Sequence, residues 1–482
     1  MSNSRLAEIR QVRLQKLAQL RQLGIDPYPP KYSLPLTDIS QARTQSGEVI
    51  SLSGRLMRLR EHGQVVFADL KDSTGQIQLL FQEKTLAEKF PLLKLFDAGD
   101  FLGVTGRIIT TQSGEVTVEV AHFELLSKSL RPLPDEWSGL KDEEARYRQR
   151  YLDLLLDPKL VDLFHKKALF WQTMRQYLLD QGFLEVETPV LESTPGGADA
   201  NPFITHHNAL DVDLYLRIST GELWQKRLMV AGFSKTFEIG RQFRNEGVSR
   251  EHLQDYTQME FYWSYANFED SMALVEQLYK HLARTVFDTL DFTIAGHQIN
   301  LGRPWPRLDY TQTVLQKTGL DIRTAHDDDL RAYLKSQAVS FSPQDGRGKL
   351  IDHIFKSIRK DISGPAFLVN HPVEVSPLAK RQPGNNGFVQ RYQVILAGTE
   401  MGNGYSELND PVDQAERFAV QQQLRESGDT EAQMNDSDFV TALEYGMPPV
   451  TGFGVSERLF SFLADKSIRE CVLFPLLRPE SK

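Results

Sequence analysis

Between Arg131 and Glu144 the chain reads RPLPDEWSGLKDEE, with two prolines, a glycine and a dense run of charges. Prolines so spaced interrupt a helix, and so many charges cannot be buried in a strand, so this stretch reads as a linker that separates independent cores. The length of the chain requires such a division. A single hydrophobic core does not serve 482 residues, and two or three domains are expected.

Ahead of the linker, residues 1–21 carry Arg5, Arg10, Arg13, Lys16 and Arg21 against one acid, Glu8. Leu6, Ile9, Val12, Leu17 and Leu20 recur among them at near-helical spacing, which predicts a basic amphipathic helix. Its cationic face either contacts phosphate or is solvated while the helix packs on its own domain. Gly24, Pro27, Pro29 and Pro30 end it. From about Val49 to Leu126 the pattern is that of strands. Val116, Val118 and Val120 alternate with Glu115, Thr117 and Glu119, and Asp72-Ser73-Thr74-Gly75 lies as a hairpin turn between Val65–Leu70 and Gln76–Phe81. Several short strands in so few residues predict a small closed barrel, of which an oligonucleotide-binding (OB) barrel is one kind among several. After the linker, helical segments such as Val161–Gln181 and Phe268–Ala283 mix with strand-like runs such as Lys235–Ile239 and Gln393–Ala397, the pattern of one large α+β domain. The predicted divisions are a basic helix at 1–30, a barrel at 31–130, a linker at 131–150 and the large domain at 151–482.

The bulk chemistry narrows the functions. A net charge of −9 speaks against broad phosphate binding, apart from the basic N-terminal stretch. No apolar run is long enough to cross a bilayer, and MSNSRLAEIRQ lacks the basic-then-apolar order of a secretory signal, so a cytoplasmic protein with no membrane partner is expected. The single cysteine, Cys471, allows neither an internal disulfide nor a cysteine cluster for zinc. A catalytic metal would therefore sit on oxygen ligands, which favours magnesium.

Three segments of the large domain hold polar residues that packing does not readily explain. In FEIGRQFRNEG (237–247) and the run that follows to Tyr265, Arg241, Arg244, Glu246, His252 and Glu260 stand among strand formers, either as an ion-paired sheet face or as ionic groups facing a cleft. In GTEMGNGYSELND (398–410), Gly402 and Gly404 permit a bulge that would turn both Glu400 and Glu407 inward, toward a hard cation or a buried ammonium; a surface loop with scattered acids is the alternative. In TGFGVSERLFSFL (451–463), two glycines lead into Arg458 at the head of a helical run, where a guanidinium meets phosphate or caps an ordinary turn.

The order FRNE, then GNGYSELND, then a glycine-rich turn with Glu457-Arg458 resembles motifs 2 and 3 of the class II aminoacyl-tRNA synthetases, with the signature of the lysine-specific enzymes between them. QGFLEVETPVL (181–191) resembles motif 1, whose strand, ended here by Pro189, usually forms the dimer interface. ARYRQRYLDL (145–154), PGGADANPFITHHNALD (195–211) and EVSPLAKR (374–381) extend the resemblance over nearly the whole chain. It implies an α+β protein, with an N-terminal OB-fold anticodon-binding barrel and a class II catalytic domain built on an antiparallel sheet flanked by helices.

The resemblance also implies roles. Arg244 would bridge the lysine carboxylate and the α-phosphate of ATP, and Arg458 would hold the γ-phosphate. Tyr256 would stack on adenine, with Glu246 and His252 at its amino group and the outer phosphates. Gly197 and Glu222 would meet the α-amino group of L-lysine, Asn403 and Tyr405 would line its pocket beside Glu260, and Glu407 with Tyr262 would take the ε-ammonium. Glu400 resembles the carboxylate that carries Mg2+. In the barrel, Phe67 and Gln78 fall where the family stacks on and reads anticodon bases of tRNA(Lys), and Arg60 would touch the same loop. Gln393 and His122 stand where the family commonly carries glutamates. The implied activity is ATP-dependent joining of lysine to its tRNA by a homodimer.

Overall fold

The computed structural model describes residues 3–134, 140, 142–247, 249–428 and 432–480. Contacts divide the chain into two units, Met1–Leu156 and Asp157–Lys482.

In the first unit, helix α1 (Asn3–Gln22) covers the predicted basic segment. Its polar face is split between two uses. Arg13 is buried and donates to the main-chain oxygens of Ala98, Ser129 and Arg131, while Lys16 pairs with Asp97 at 2.8 Å. Leu17 and Leu20 are buried, and Leu20 belongs to the barrel core. Val12 is 51% exposed, so the apolar stripe that the spacing suggested is narrower than its sequence pattern. Arg5, Arg10 and Arg21 remain exposed.

Strands β1 (Val49–His62), β2 (Val65–Lys71), β3 (Gln76–Gln82), β4 (Phe101–Thr110) and β5 (Val116–Ser127) close into a barrel in the order β1-β2-β3-β5-β4. The β2–β3 hairpin turns where predicted, because the Asp72 carboxylate accepts from the main-chain N–H of Thr74 and Gly75. Val118 and Val120 point into the core, but a register shift opposite Thr105 and Gly106 moves the inward set to Phe123 and Leu125. A strict alternation of two therefore shows only the first half of this strand.

Of the proline- and charge-rich stretch, residues 135–139 and 141 lie outside the described residues. Its last part is helical, at Glu143–Arg148 and then Arg150–Leu156. The acids that read as a charged linker do local work here, since the Asp142 side chain accepts from Ala145 N at the helix start.

The second unit is built on a nine-stranded sheet. Six strands, β6 (Lys235–Phe243), β7 (Asp255–Ser264), β8 (Ala366–Pro372), β9 (Asn385–Leu396), β10 (Thr399–Ser406) and β11 (Val450–Ser456), form its antiparallel centre in the order β8-β9-β10-β11-β7-β6. Two short edge strands, Arg307–Asp309 and Leu184–Glu185, pair in parallel at either end. Side-chain alternation gives the sheet two unlike faces. Phe237, Met259, Phe261, Phe453 and Val455 turn toward helices α2 (Pro158–Asp180) and α4 (Phe268–Phe287) and make the main core with Met174, Leu278 and Leu282. The interleaved residues Glu260, Tyr262, Gly452 and Gly454 turn the other way. On that side, helix α3 (Glu222–Val230) and two later helices contribute Leu223, Met229, Phe418 and Phe439 to a smaller apolar cluster that includes Tyr262.

The bulge predicted from Gly402 is present. Gln393 pairs with Asn403 and Ile395 with Glu400, so β10 carries one extra residue between them. Gly402 sits at φ +153, and a Cβ there would lie 2.6 Å from the Phe453 ring. Among the described residues, no helix is long and apolar enough to cross a membrane.

Candidate active site

A cavity of about 470 Å³ opens on the polar face of the second unit's sheet. Gly197, Glu222, Arg244, Glu246, His252, Tyr256, Glu260, Tyr262, Glu400, Asn403, Tyr405, Glu407 and Arg458 all line it. The cavity has two chemically distinct ends. Tyr262, beside the acidic end, and Tyr256, beside the cationic end, lie six residues apart on β7, which puts their Cα atoms about 20 Å apart along the strand.

At the acidic end Glu407 is 1% exposed, held by its own N–H to Val450 O at 2.8 Å. Glycine at 452 makes room for it. A Cβ there would come within 2.3 Å of Glu407 Oε1 and 2.6 Å of the Tyr262 ring. Glu260 is likewise buried, accepting from Thr220 N at 2.8 Å, Gln258 Nε2 at 2.6 Å and the Tyr262 hydroxyl at 3.0 Å. Burial, reinforced by the charge of Glu222, pushes the Glu260 carboxyl up to about 7. Burial also pushes Glu407 up, to about 8, with the Lys226 ammonium opposing it. Glu222 opens helix α3, where it accepts from the Tyr405 hydroxyl. Gly197 packs on it so closely that a Cβ would stand 2.7 Å from the Glu222 Cβ.

At the other end the charges are positive. Arg244 follows β6, with its N–H bonded to Gln254 O at 2.8 Å and its guanidinium 5.7 Å from the Tyr256 ring centre. The side chain is otherwise lightly held, by one bond of 3.3 Å from Nε to Ile218 O. Arg458 heads the helix after β11, donates to Glu400 O at 2.9 Å and approaches Glu251 at 3.5 Å. Its Nε is buried without a hydrogen-bond partner, a donor that an anion in the cavity would satisfy. His252 accepts from or donates to Ser249 Oγ at 2.7 Å, and burial together with the Arg458 charge lowers its pKa, keeping it neutral.

Of the two alternatives for the strand-borne charges, Arg241 takes the ion-paired sheet face, and two further residues join the site. Arg241, grouped with the cleft set, is not among the cavity-lining residues; it is exposed and pairs with Asp255 on the neighbouring strand. Gln393 is also not among them and is buried beside His371. Arg391 was overlooked, yet it lines the cavity and bonds Asn403 Oδ1 at 2.8 Å and Ser376 Oγ at 2.9 Å. So was Lys226, whose ammonium is wholly buried between Glu222 and Glu407. The signal for it was present as a Glu-Lys pair four residues apart, Glu222 to Lys226, on one helix.

In the first unit, Arg60, Phe67 and Gln78 lie on the outer face of the barrel. Phe67 is paired across strands with Arg60, is half-buried, and meets the His62 ring edge-on at 6.4 Å. Arg60 reaches Asp69 at 3.1 Å, and Gln78, cross-strand from Asp69, accepts from Thr117 at 3.0 Å.

Residues 142–478 match the family described as tRNA synthetases class II (D, K and N), and residues 50–126 match the OB-fold nucleic acid binding domain. A lysine–tRNA ligase of Carboxydothermus hydrogenoformans is 44% identical over 99% of this chain and 100% of its own length. One of Syntrophomonas wolfei is 43% identical over 100% of this chain and 99% of the relative, and one of Thermotoga maritima is 41% identical over 98% and 97%.

Proposed function

The chain belongs to the class II tRNA synthetases, and to the lysine–tRNA ligases among them, and from that membership and the cavity's geometry we propose how it joins lysine to tRNA. The observation that carries the mechanism is that one cavity holds a buried carboxylate cluster at one end and both Arg244 and Arg458 at the other.

An ammonium taken out of water is costly unless it is paired, so the ε-ammonium of lysine goes to Glu407 and Tyr262. The α-amino group goes to Glu222 beside Gly197, with Glu260, Asn403 and Tyr405 shaping the walls. This orientation turns the lysine carboxylate toward Arg244. A carboxylate oxygen attacks the α-phosphorus of ATP, the bond to the β-phosphate oxygen breaks, and diphosphate leaves with the electron pair. Nucleophile and target are both anionic, so the guanidinium of Arg244 lowers the barrier by neutralising the two as they approach. Tyr256 offers its ring to adenine, Glu246 and neutral His252 bracket the nucleotide, and Arg458 receives the outer phosphates. The ribose hydroxyl of the tRNA terminus then takes the lysyl group from the adenylate, releasing AMP.

Among the described residues no group of three His, Cys, Asp or Glu gathers around a point. Magnesium does not require such a cage, because one or two carboxylates with nucleotide phosphates and water suffice. Glu400, adjoining Arg458, fits that donor set and would hold an ion arriving with ATP, whose charge offsets that of the phosphates.

The experiment is an amino-acid screen of diphosphate exchange into ATP. Exchange dependent on lysine is expected, and exchange with aspartate in its place would overturn the assignment of Glu407.

The barrel's outer face suits a splayed anticodon, with Phe67 as the stacking ring and Gln78 and Arg60 as polar contacts. Loss of one stacking ring is worth about 1–3 kcal/mol. Phe67→Ala is therefore expected to lower kcat/KM for tRNA charging by roughly 5- to 150-fold while lysine-dependent exchange stays unchanged. Equal loss in both assays would remove Phe67 from base recognition.

We also infer a homodimer. Leu184, Val190 and Leu191 of the segment resembling motif 1 are exposed, as are Ile204, Leu210 and Val212 in and beside the adjoining three-stranded sheet, and solution mass checks the pairing.

A further inference from the structure

Lys226, at the acidic end, has no part in the mechanism above. It projects from α3 into a fully buried position, with its ammonium 2.7 Å from Glu222 Oε1 and 2.5 Å from Glu407 Oε2. The Tyr405 and Phe439 rings lie 5.4 Å and 5.9 Å from it. The contact to Glu407 is an ion pair, and a carboxylate oxygen can accept from more than one donor.

We propose that Lys226 is a positioning residue for substrate specificity, a fixed counter-ion that pairs with Glu222 and Glu407, favours the ionised form of Glu407 and matches the pocket's charge to a substrate with two ammonium groups. The inference deepens the lysine assignment and rests on it. Counted as carboxylates, buried Glu222, Glu260 and Glu407 bring three negative charges to one pocket, and Lys226 reduces their sum to −2. Substrate lysine brings +2 in its α- and ε-ammonium groups, and its carboxylate faces Arg244. Without Lys226 three carboxylates would crowd together, and like charges in low dielectric relieve themselves by taking up a proton. A protonated Glu407 presents no charge to the substrate. An amino acid with an uncharged side chain would leave one negative charge unmatched, so the same count disfavours it.

The charged and titratable groups facing Glu407 are Lys226 and Glu222 on α3, Glu260 and Tyr262 on β7, and Tyr405 on β10, with Arg391 of β9 next beyond Asn403. Lys226 lowers the Glu407 pKa, whereas Glu222 and Glu260 raise it. Its removal therefore moves ionisation of Glu407 to higher pH.

The test is diphosphate exchange by the full chain with lysine and ATP varied separately, from about pH 6 to about pH 9. Lys226→Met is expected to raise the lysine KM about 10- to 100-fold, with the ATP KM within about twofold, and to displace the pH profile of the lysine KM upward. Lys226→Arg keeps the charge and is expected to keep the wild-type profile. A Met variant whose profile superimposes on wild type, or an Arg variant displaced as far as Met, would overturn the counter-ion role. If the Met variant does not fold, an Arg variant displaced from the wild-type profile overturns the role by itself, and one that superimposes on it upholds the role. Absence of lysine-dependent exchange in the wild type would instead sink the underlying lysine assignment.

Discussion

Arg244→Ala is expected to lower the kcat/KM of lysine-dependent diphosphate exchange by roughly two to four orders of magnitude while leaving the fold intact. The size follows from removing one preorganised cation from an encounter between two anions, a loss of about 3–5 kcal/mol in the transition state. The intact fold follows from how little else the side chain does. Its guanidinium makes a single long bond to a main-chain oxygen and lies over Tyr256, and its main-chain N–H bond to Gln254 survives truncation. Circular dichroism and the unfolding midpoint separate the two effects. Near-wild-type exchange in a folded variant would take Arg244 out of the mechanism. Arg458→Ala would be a poorer probe, because its side chain also ties the helix after β11 to Glu400.

Much of this site was legible because the sequence places its chemistry on regular structure. Glu260 and Tyr262 are two apart on one strand, and Gly452 and Gly454 two apart on the next, so a period of two sends all four to one face once the strands are recognised. The glycines at 402 and 404 announced a bulge, and the register shift opposite Gln393 is that bulge. The rest was hidden for identifiable reasons. Lys226 stands in ELWQKRL, where a helical lysine ordinarily lies on a solvated face, and it is buried by Glu407, Tyr405 and Phe439, which come from elsewhere in the chain. Arg241 looked like a cleft residue because it shares a strand with residues that lead to one. It pairs Thr257 across β6 and β7, and Asp255 engages it at the exposed end of the strands. The second half of β5 was obscured by the register shift that moves Phe123 inward, and the linker's acidic end by its use as a helix start. Tertiary contact, which propensity does not contain, decided the first three cases, and a local helix cap decided the linker.

Glu407→Gln is expected to lower kcat/KM for lysine by about 10²- to 10⁴-fold, with the ATP KM nearly unchanged. The substitution preserves volume, so the space left by Gly452 is not disturbed. It removes the charge that an ammonium would meet in a position only 1% exposed to water. A buried ammonium deprived of its partner costs about 3–5 kcal/mol, which sets the magnitude. A pH signature makes the assignment specific. In the wild type burial pushes the Glu407 carboxyl up, to about 8, against the opposing Lys226 ammonium, so its ionised fraction grows as pH rises through this range. Lysine affinity therefore rises as pH rises through this range, since the ionised form is the one that pairs with the ε-ammonium. The Gln variant has no proton to lose at this position, so its lysine KM should vary less over the same interval, with Glu260, raised to about 7, still titrating beside it. Lys226 keeps Glu222 as its partner in the variant, so the local ion pair on α3 survives and the unfolding midpoint should change less than the affinity does. A variant that keeps the wild-type lysine KM, or keeps the wild-type rise in affinity with pH, would place the ε-ammonium elsewhere in the cavity. Glu260 would then be the next candidate, but its two oxygens already accept from Thr220, Gln258 and Tyr262, whereas Glu407 faces the single Lys226 ammonium at Oε2.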